Sequence, residues 1–275
     1  MTSFDATLLS LWRPFIYPLL NPARKDIFTN FKNQFSIIVD MVNVFVVPQW
    51  FFGYDVALEL LFSIITLLVA LYGFKLYKLC NEKQFKYFGF AFLLIAISYF
   101  LQSIINVMII YDLNTKLMSL MSFQFLYNLT IFEIYIHTLF FVVGLLLLTY
   151  NTFKIDNLRV FYLLFIIVML AIFLSFNKVF MFYLVASVLL LYLVVYYAIN
   201  YFSTKKTNAL IMFIAMTLLL FSTLHFILAV NHGVYYVLGH IFEFIAYLLI
   251  ASELYLVNRY SKNICAVTHY GKKKR

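Results

Sequence analysis

The chain has 275 residues, of which 65% are hydrophobic and only 11% charged, and its mean hydropathy is +0.96. Soluble domains carry about 25% charged residues, so this composition excludes a soluble globular protein and indicates a polytopic membrane protein. The formal net charge is +9. The Lys and Arg residues lie in short loops and at the C-terminus, where they set membrane orientation. We therefore expect a lipid bilayer as partner and no nucleic acid.

The first 53 residues differ from the rest because they contain all four prolines of the chain. Asn21 and Pro22 are typical of an N-cap and a first helical position. Apolar residues then recur at spacings of three and four, which predicts an amphipathic helix over 22–46 on the outer membrane surface. Met41 offers an alternative start, although the apolar stripe continues through it.

Seven apolar segments follow, each long enough for an α-helix to cross about 30 Å of hydrocarbon. The predicted helices are 55–79, 87–110, 125–150, 157–175, 179–202, 208–230 and 234–258. The boundary inside 157–202 is the least sharply marked, because only Phe176 to Lys178 separates two helices there. The sequence predicts an all-α, seven-transmembrane-helix bundle over 54–260 and a basic cytoplasmic tail over 261–275.

Lys and Arg are unevenly divided between alternate loops. One side carries Lys75, Lys78, Lys83, Lys86, Lys154, Arg159, Lys205 and Lys206, and the other carries Lys116 and Lys178. The positive-inside rule then predicts a multi-pass protein of the cell membrane with its N-terminus outside and its C-terminus in the cytoplasm. Cys80 and Cys265 fall on the predicted cytoplasmic side, where thiols stay reduced, so no disulfide is expected.

The second and sixth segments match at an offset of 124 residues. Ala91 and Ser98 correspond to Ala215 and Ser222. In the helices before them, Tyr72 and Tyr77 correspond to Tyr196 and Tyr201. This pattern predicts two three-helix units joined by the fourth helix, a 3+1+3 parallel repeat of the kind that some transporters have.

Most ionisable and carboxamide side chains within the segments fall in the half predicted to face outside. A charged side chain in hydrocarbon costs at least about 2.5 kcal/mol, so such residues are candidates for function. Glu133 and His137 are four residues apart, and His240 and Glu243 are three apart, so each pair occupies one helix face. We predict that these groups meet in an outward-facing pocket. The candidate ligand-binding residues are Glu133, His137, His225, His240, Glu243 and Gln102.

A structural alternative explains the same residues without a ligand. Glu133 with His137, and His240 with Glu243, would satisfy one another and hold their helices in register, since intramembrane polar groups pair wherever they can. Asp55 and Glu59 lie close enough to the predicted interface to be ordinary solvated residues.

The main hypothesis is a protein that senses or binds a small ligand, a lipid headgroup or protons, without catalysis. Histidine and carboxylate pairs suit proton sensing because histidine titrates near neutrality. Transport ranks lower, since no proline follows Pro48 and carriers commonly use broken helices around their site. A membrane scaffold subunit, or a sensor with a membrane protein partner for signalling, remains open.

An enzyme is the other class. Three histidines could hold zinc while Glu133 or Glu243 acts as general base, as in a membrane-embedded hydrolase. Neither H-E-x-x-H nor H-x-x-x-H occurs, however. Haem would need two facing histidines, such as His137 with His225 or His240. A retinal protein is excluded by the absence of Lys between Gly233 and Val257, and we predict no cofactor.

Three short motifs carry a resemblance to other proteins. Trp50-Phe51-Phe52-Gly53-Tyr54-Asp55 opens the first helix, Lys75-Leu76-Tyr77-Lys78 ends it, and Gly239-His240-Ile241-Phe242-Glu243 lies in the last helix. They resemble uncharacterised seven-helix archaeal membrane proteins, over roughly residues 48–260. In architecture those proteins are similar to the seven-helix sensor regions that precede some histidine kinases. The resemblance implies a sensor-like architecture without a kinase domain, and no established activity or site.

Overall fold

A computed structural model describes residue 51 and residues 53–114, 120–153, 157–229 and 232–272, and in these residues it contains helices and no strand. The helices are α1 (Tyr54–Cys80), α2 (Lys83–Asn114), α3 (Leu120–Phe153), α4 (Leu158–Leu174), α5 (Lys178–Thr204), α6 (Thr207–Leu228) and α7 (Gly233–Lys272). The predicted all-α fold is confirmed for this part of the chain. The predicted amphipathic helix 22–46 lies outside the described residues.

Six helices of the described residues are long and apolar enough to cross a membrane, namely all except α4. α4 has 17 residues, or about 25 Å, against about 30 Å of hydrocarbon. The outward surfaces of the six long helices carry large apolar side chains, such as Leu71 on α1 and Val188 on α5, each more than half exposed. A multi-pass membrane protein follows from these six helices.

Six of the helices form a closed ring. α1 packs against α2 and α7, α2 against α3, α3 against α5, α5 against α6, and α6 against α7. Among the described helices, α4 makes extensive contacts only with its chain neighbours, α3 and α5. The fourth helix is therefore a peripheral link, and the ring encloses a core of buried residues that includes Phe62, Ala91 and Tyr247.

The hairpins α1–α2 and α5–α6 are built alike. α1 and α5 each have 27 residues, and each ends at a non-glycine residue in the left-handed region. Those caps are Asn81, at φ 53° and ψ 30°, and Lys205, at φ 52° and ψ 25°. The same offset of 124 residues relates the start of α1 to that of α5, the first cap to the second, and the start of α2 to that of α6.

Two asparagines mark where α4 and α5 begin, and the second lies at the least sharply marked predicted boundary. α4 ends at Leu174, and the Ser175 hydroxyl donates to the Ile172 carbonyl at 3.0 Å. The Asn177 side chain then accepts the Phe180 amide at 3.0 Å, as an N-cap of α5. Asn157 caps α4 in the same way. Because a side-chain oxygen at the N-cap satisfies an otherwise unpaired amide, each asparagine defines where its helix begins.

Glycines allow two close helix contacts. A Cβ added at Gly73 would lie 3.0 Å from the Gly89 Cα, so α1 and α2 approach backbone to backbone. A Cβ added at Gly144 would lie 2.8 Å from the Ala91 carbonyl oxygen, which places α3 directly against α2. Small residues are typical of such membrane interfaces because they let helices approach closely.

α7 runs further than predicted, because its helix continues through the segment assigned to a tail and ends at Lys272. Hydropathy marks only the apolar part of a helix, whereas polar residues can continue it in water. Cys80, predicted to be a reduced thiol, is disulfide-bonded in the structure. That prediction was wrong because it rested on the assigned compartment and not on which residues the fold brings together.

Candidate functional site

The polar side chains of four helices converge in the half of the ring where α1, α3 and α7 begin. They form two neighbouring groups. The acid cluster consists of Asp55 and Glu59 on α1, Asn106 on α2 and Glu133 on α3. The second group, here called the α7 cluster, consists of Tyr99 on α2 and His240, Glu243 and Tyr247 on α7.

Asp55 is held by the start of its own helix. Its Oδ1 accepts the backbone amides of Gly53, at 2.8 Å, and Val56, at 2.9 Å. Gly53 has a φ of 97°, which a glycine adopts without the steric cost of a Cβ. The positive end of the α1 dipole also favours an acid at this position.

Asn106 links the other two acids of the cluster. Its Nδ2 donates to both carboxyl oxygens of Glu59, at 3.1 and 3.0 Å, and its carboxamide is also a hydrogen-bond partner of Glu133. The Glu59 carboxyl group lies within electrostatic range of Glu133, Asp55 and Glu243. In the described part of the chain, no Lys or Arg forms an ion pair with these acids. Within the described ranges, the carboxyl groups of the cluster therefore have no basic ion-pair partner.

Asp55 and Glu59 are not the solvated residues that the sequence predicted. Asp55 is 5% exposed and Glu59 only 1%. Distance along the helix axis places both near the membrane surface, but α2, α3 and α7 cover the face of α1 on which they lie. Both belong to the candidate site.

The α7 cluster is a hydrogen-bonded group around Glu243. The Tyr99 hydroxyl donates to Glu243 Oε1 and lies 3.1 Å from the Tyr247 hydroxyl. Tyr247 also donates to Glu243 Oε1, at 3.5 Å. The other carboxyl oxygen, Oε2, lies 3.7 Å from His240 Nδ1. Glu243 thus has hydroxyl donors on one side and an imidazole on the other.

Aromatic rings enclose His240. Its ring stacks between Phe51 and Phe62, both with centroids 5.9 Å away and interplanar angles of 29° and 27°. Phe226 and Tyr236 meet it edge-on, at 5.0 and 4.6 Å. His240 is 5% exposed, and neither ring nitrogen has a hydrogen-bond partner among the described residues. A buried polar group without a partner costs free energy, so this histidine calls for a functional explanation.

A small cavity lies beside the α7 cluster. Its volume is about 10 Å³, and its polar lining comes from Glu243, Tyr247 and Thr223. The remaining lining is apolar and includes Leu145 and Leu190. About 10–15 Å³ with two or more polar partners suffices for one water molecule. The cavity is therefore about large enough for a single water, although most of its lining is apolar.

His137 does not pair with Glu133. Its Nδ1 lies 2.8 Å from the Ser98 hydroxyl oxygen, which also lies 2.9 Å from the His137 carbonyl oxygen. A hydroxyl has one proton and a carbonyl only accepts. Both contacts are satisfied when Ser98 donates to the carbonyl and His137 Nδ1–H donates to Ser98. This arrangement holds α2 and α3 together and leaves Nε2 as the open ring nitrogen.

We expect Ser98→Ala to lower the free energy of unfolding by about 1–2 kcal/mol, because it leaves the buried His137 donor without a partner. The measurement is unfolding of the purified protein in denaturing detergent. Ser252→Ala is the matched control, since Ser252 is exposed and bonds only the Leu249 carbonyl of its own helix. Equal stability of the two variants would contradict a structural role for the Ser98–His137 contact.

The other two predicted site residues lie apart from these clusters. His225 Nδ1 lies 2.7 Å from the Phe221 carbonyl oxygen of its own helix, and its ring contacts Tyr235 and Phe242. Gln102 shares an α2 face with Ser98 and Asn106, and its buried Oε1 lacks a hydrogen-bond partner among the described residues. The structure thus places Glu133 in the acid cluster, brings His240 and Glu243 together in the α7 cluster, and sets His137 against Ser98 at the α2–α3 contact.

Three histidines were the zinc ligands of the enzyme alternative. They occupy three separate settings, against Ser98, against the Phe221 carbonyl and inside the aromatic enclosure. No group of three His, Cys, Asp or Glu side chains in the described residues is arranged to hold a metal ion. The donor set that the zinc hypothesis needs is therefore not assembled among them.

No protein family, curated protein or solved structure matches this chain. Its chemistry is therefore argued from its own residues.

Sequence reasoning missed the hydroxyl and carboxamide partners of the acids. Tyr99 and Tyr247 were passed over because aromatic residues are abundant throughout the chain. A signal was present, since Tyr247 follows Glu243 by four residues and so shares its helix face. Tyr99 and Asn106, seven residues apart, likewise lie on one face of α2. No such spacing could reveal which face of α2 meets α1 or α7.

Proposed function

We propose that this multi-pass membrane protein binds protons at the acid cluster and acts as a proton sensor. The observation that carries the proposal is the burial of Asp55, Glu59 and Glu133 within electrostatic range of one another, with no Lys or Arg paired to them among the described residues. Uncompensated charge inside a membrane protein is costly, so something must neutralise these carboxyl groups. A proton does so without needing a cavity.

The proton is preferred to a small organic ligand or a lipid headgroup for a geometric reason. Asn106 donates to Glu59 and is a hydrogen-bond partner of Glu133, so the polar groups of the acid cluster bond one another. The cavity beside Glu243 is of a size for one water, which is too small for an organic molecule. Neighbouring carboxyl and imidazole groups inside membrane-spanning helices are typical of proton relays in membrane proteins.

Seven spans with the N-terminus outside are part of the proposal. α3 ends at Phe153, whereas Tyr183, early in α5, lies within electrostatic range of Glu59 and Glu133 near the opposite end. α4 connects these two ends, which supports its crossing the same thickness despite its 17 residues. The excess of Lys and Arg at the other end supports a cytoplasmic C-terminus and an acid cluster facing outward.

A route for an output signal supports sensing. His240 and Glu243 lie near the start of α7, and the same helix continues over 40 residues, about 60 Å, to Lys272. A shift of α7 at the site would therefore be transmitted to the far end of the helix. A membrane protein partner that reads this end would complete the signalling function.

Proton binding is tested by titrating the protein in lipid nanodiscs and subtracting the titration of empty discs. We expect the variant Glu59→Gln, Glu133→Gln to take up fewer protons than wild type on acidification, by up to one per replaced carboxyl group. Glu82→Gln is the matched control, since Glu82 lies between α1 and α2, outside the membrane-spanning segments. We expect Glu82→Gln to leave the proton uptake of the acid cluster unchanged.

The same curves can refute the proposal. If the double variant and wild type take up equal numbers of protons over the accessible pH range, the acid cluster is not a proton site. If a small ligand or lipid headgroup is the true ligand, its addition should protect wild type against unfolding while proton uptake stays unchanged.

A proton-coupled carrier is the second candidate, favoured by the repeated hairpins. The offset of 124 residues that relates α1–α2 to α5–α6, caps included, supports a 3+1+3 parallel repeat. In such a repeat the site lies between the units, as carrier sites do. Proteoliposomes with an enclosed pH dye separate the two functions. A carrier dissipates a proton gradient, and a sensor does not.

A further inference from the structure

The α7 cluster bridges the two halves of the ring. We call α1, α2 and α3 the first unit and α5, α6 and α7 the second unit. Tyr99 of the first unit donates to Glu243 of the second. The ring of Phe62, also in the first unit, stacks on His240 of the second. His240 and Glu243 are thus among the side chains through which α7 contacts polar and aromatic groups of the opposite unit.

We propose that His240 and Glu243 form a second proton-binding site, in which one proton moves between Glu243 Oε2 and His240 Nδ1. In one direction the O–H bond of the carboxylic acid breaks and an N–H bond forms, giving a carboxylate and an imidazolium. The reverse step restores two neutral groups. The net charge of the pair is unchanged, so the exchange adds no uncompensated charge to the membrane interior.

The surroundings stabilise each charged partner. Phe51 and Phe62 present their ring faces to His240 and would attract an imidazolium. Tyr99 and Tyr247 direct their hydroxyl groups at Glu243 Oε1 and would stabilise a carboxylate. Neither nitrogen of His240 has another hydrogen-bond partner among the described residues, so no bond has to break before Nδ1 accepts a proton.

The geometry requires only side-chain movement. His240 and Glu243 are one helical turn apart on α7, so their backbones stay at a fixed separation. The gap from Nδ1 to Oε2 is 3.7 Å, and a modest rotation of the Glu243 carboxyl group would bring it to hydrogen-bonding distance, which is about 2.7–2.9 Å for a charged pair.

Other titratable groups face this pair from several helices. α1 contributes Glu59 and α5 contributes Tyr183, both within electrostatic range of Glu243. α2 contributes Tyr99, and α7 itself contributes Tyr236 and Tyr247. From α6 the facing ring is Phe226, while His225 contacts Tyr235 and Phe242 instead. Glu59 is thus the acid whose charge would disfavour a carboxylate at Glu243, so a protonated Glu59 favours the charged pair.

Proton exchange would alter the contact between the units. With a carboxylate at Glu243, the hydroxyl groups of Tyr99 and Tyr247 are held more strongly, because charge-assisted hydrogen bonds are about twice as strong as neutral ones. Although this proposal rests on the proposed function for its ligand, the proton, it involves side chains outside the acid cluster.

The test is nuclear magnetic resonance of the full chain in bilayers, with labelled histidine nitrogens that distinguish neutral imidazole from imidazolium. The His240 signal is the one lost in His240→Gln. We expect an imidazolium population in wild type that disappears in Glu243→Gln, which cannot supply the proton, and persists in Glu82→Gln. Phe51→Leu removes one of the two stacked ring faces and should lower the imidazolium-to-neutral ratio about two- to fivefold, and lipid-facing Phe90→Leu should leave it unchanged.

Two results would overturn the proposal. One is a His240 that stays neutral in wild type at every pH at which the protein is folded. The other is an imidazolium population that is the same in Glu243→Gln. If Glu243→Gln does not fold, Phe51→Leu decides, and an unchanged ratio counts against the pair. Proton uptake by Glu59 and Glu133 is measured separately, so either proposal can fail while the other stands.

Discussion

Replacing Asn106 by leucine is expected to lower the free energy of unfolding by about 3 kcal/mol, among the largest effects of any single polar substitution in this protein. Asn106 donates to both oxygens of Glu59 and is a hydrogen-bond partner of Glu133. Leucine fills a similar volume but donates nothing. Two buried carboxyl groups would lose this partner, and an unpaired buried charge costs more than an unpaired neutral group.

A double-mutant cycle isolates this effect from a change in packing. In the background Glu59→Gln, Glu133→Gln the same Asn106→Leu change should cost at least about 1 kcal/mol less, because no carboxyl group is left unpaired. Ser103→Ala on the same helix is the control. It removes only a 3.4 Å hydrogen bond to the Val56 carbonyl, and we expect a loss of at most about 1 kcal/mol.

The measurement is the unfolding midpoint and slope in denaturing detergent, for the four members of the cycle and the control. An Asn106→Leu cost that is equal in both backgrounds would show that the carboxyl groups do not depend on Asn106. In that case the acid cluster would be a set of independent side chains and not one site.

Replacing Gly144 by leucine is expected to destabilise the protein by about 3 kcal/mol through the contact between α2 and α3. A Cβ at this position would lie 2.8 Å from the Ala91 carbonyl oxygen and 2.7 Å from Ile95 Cγ1. The carbonyl belongs to the backbone of α2, so the helices must separate to make room. That separation would also stretch the Ser98–His137 contact, because Ser98 lies seven residues after Ala91 and His137 lies seven residues before Gly144.

Gly144→Ala measures how the two opposing effects balance. Alanine favours a helix by about 1 kcal/mol over glycine, but the Cβ overlap with α2 costs about 1–3 kcal/mol. We expect a net loss of stability. Leu71→Ala on the lipid-facing side of α1, where Leu71 is 54% exposed, is the control and should change stability little. A Gly144→Ala variant more stable than wild type would contradict the close approach of α2 and α3.

Much of the fold was predictable because hydropathy is a local property. An apolar run of about 20 residues must be helical in a bilayer, where every backbone group needs an internal hydrogen bond. The charged ends of such runs then mark the connections, which is why a helix occupies each apolar segment. Hydropathy did not predict where a helix continues into polar sequence, as α7 does up to Lys272.

The candidate site was predictable in part, for a similar reason. Helical periodicity places Glu133 and His137 on one face, and His240 and Glu243 on another. It does not decide whether the members of a pair bond each other. His240 and Glu243 remain neighbours at 3.7 Å, whereas His137 bonds Ser98 and Glu133 bonds Asn106.

The sequence by itself determined that this protein is helical, lies in the membrane, and carries most of the ionisable side chains within its apolar segments in one half of the bundle. Those properties follow from composition and from the rise and repeat of the helix. Only the tertiary structure decided that Asn106 joins Glu59 to Glu133, that Tyr99 reaches Glu243, and that aromatic rings enclose His240. The physical reason is that each helix is free to rotate about its axis until packing selects one face. The partners across a helix contact therefore depend on the whole bundle.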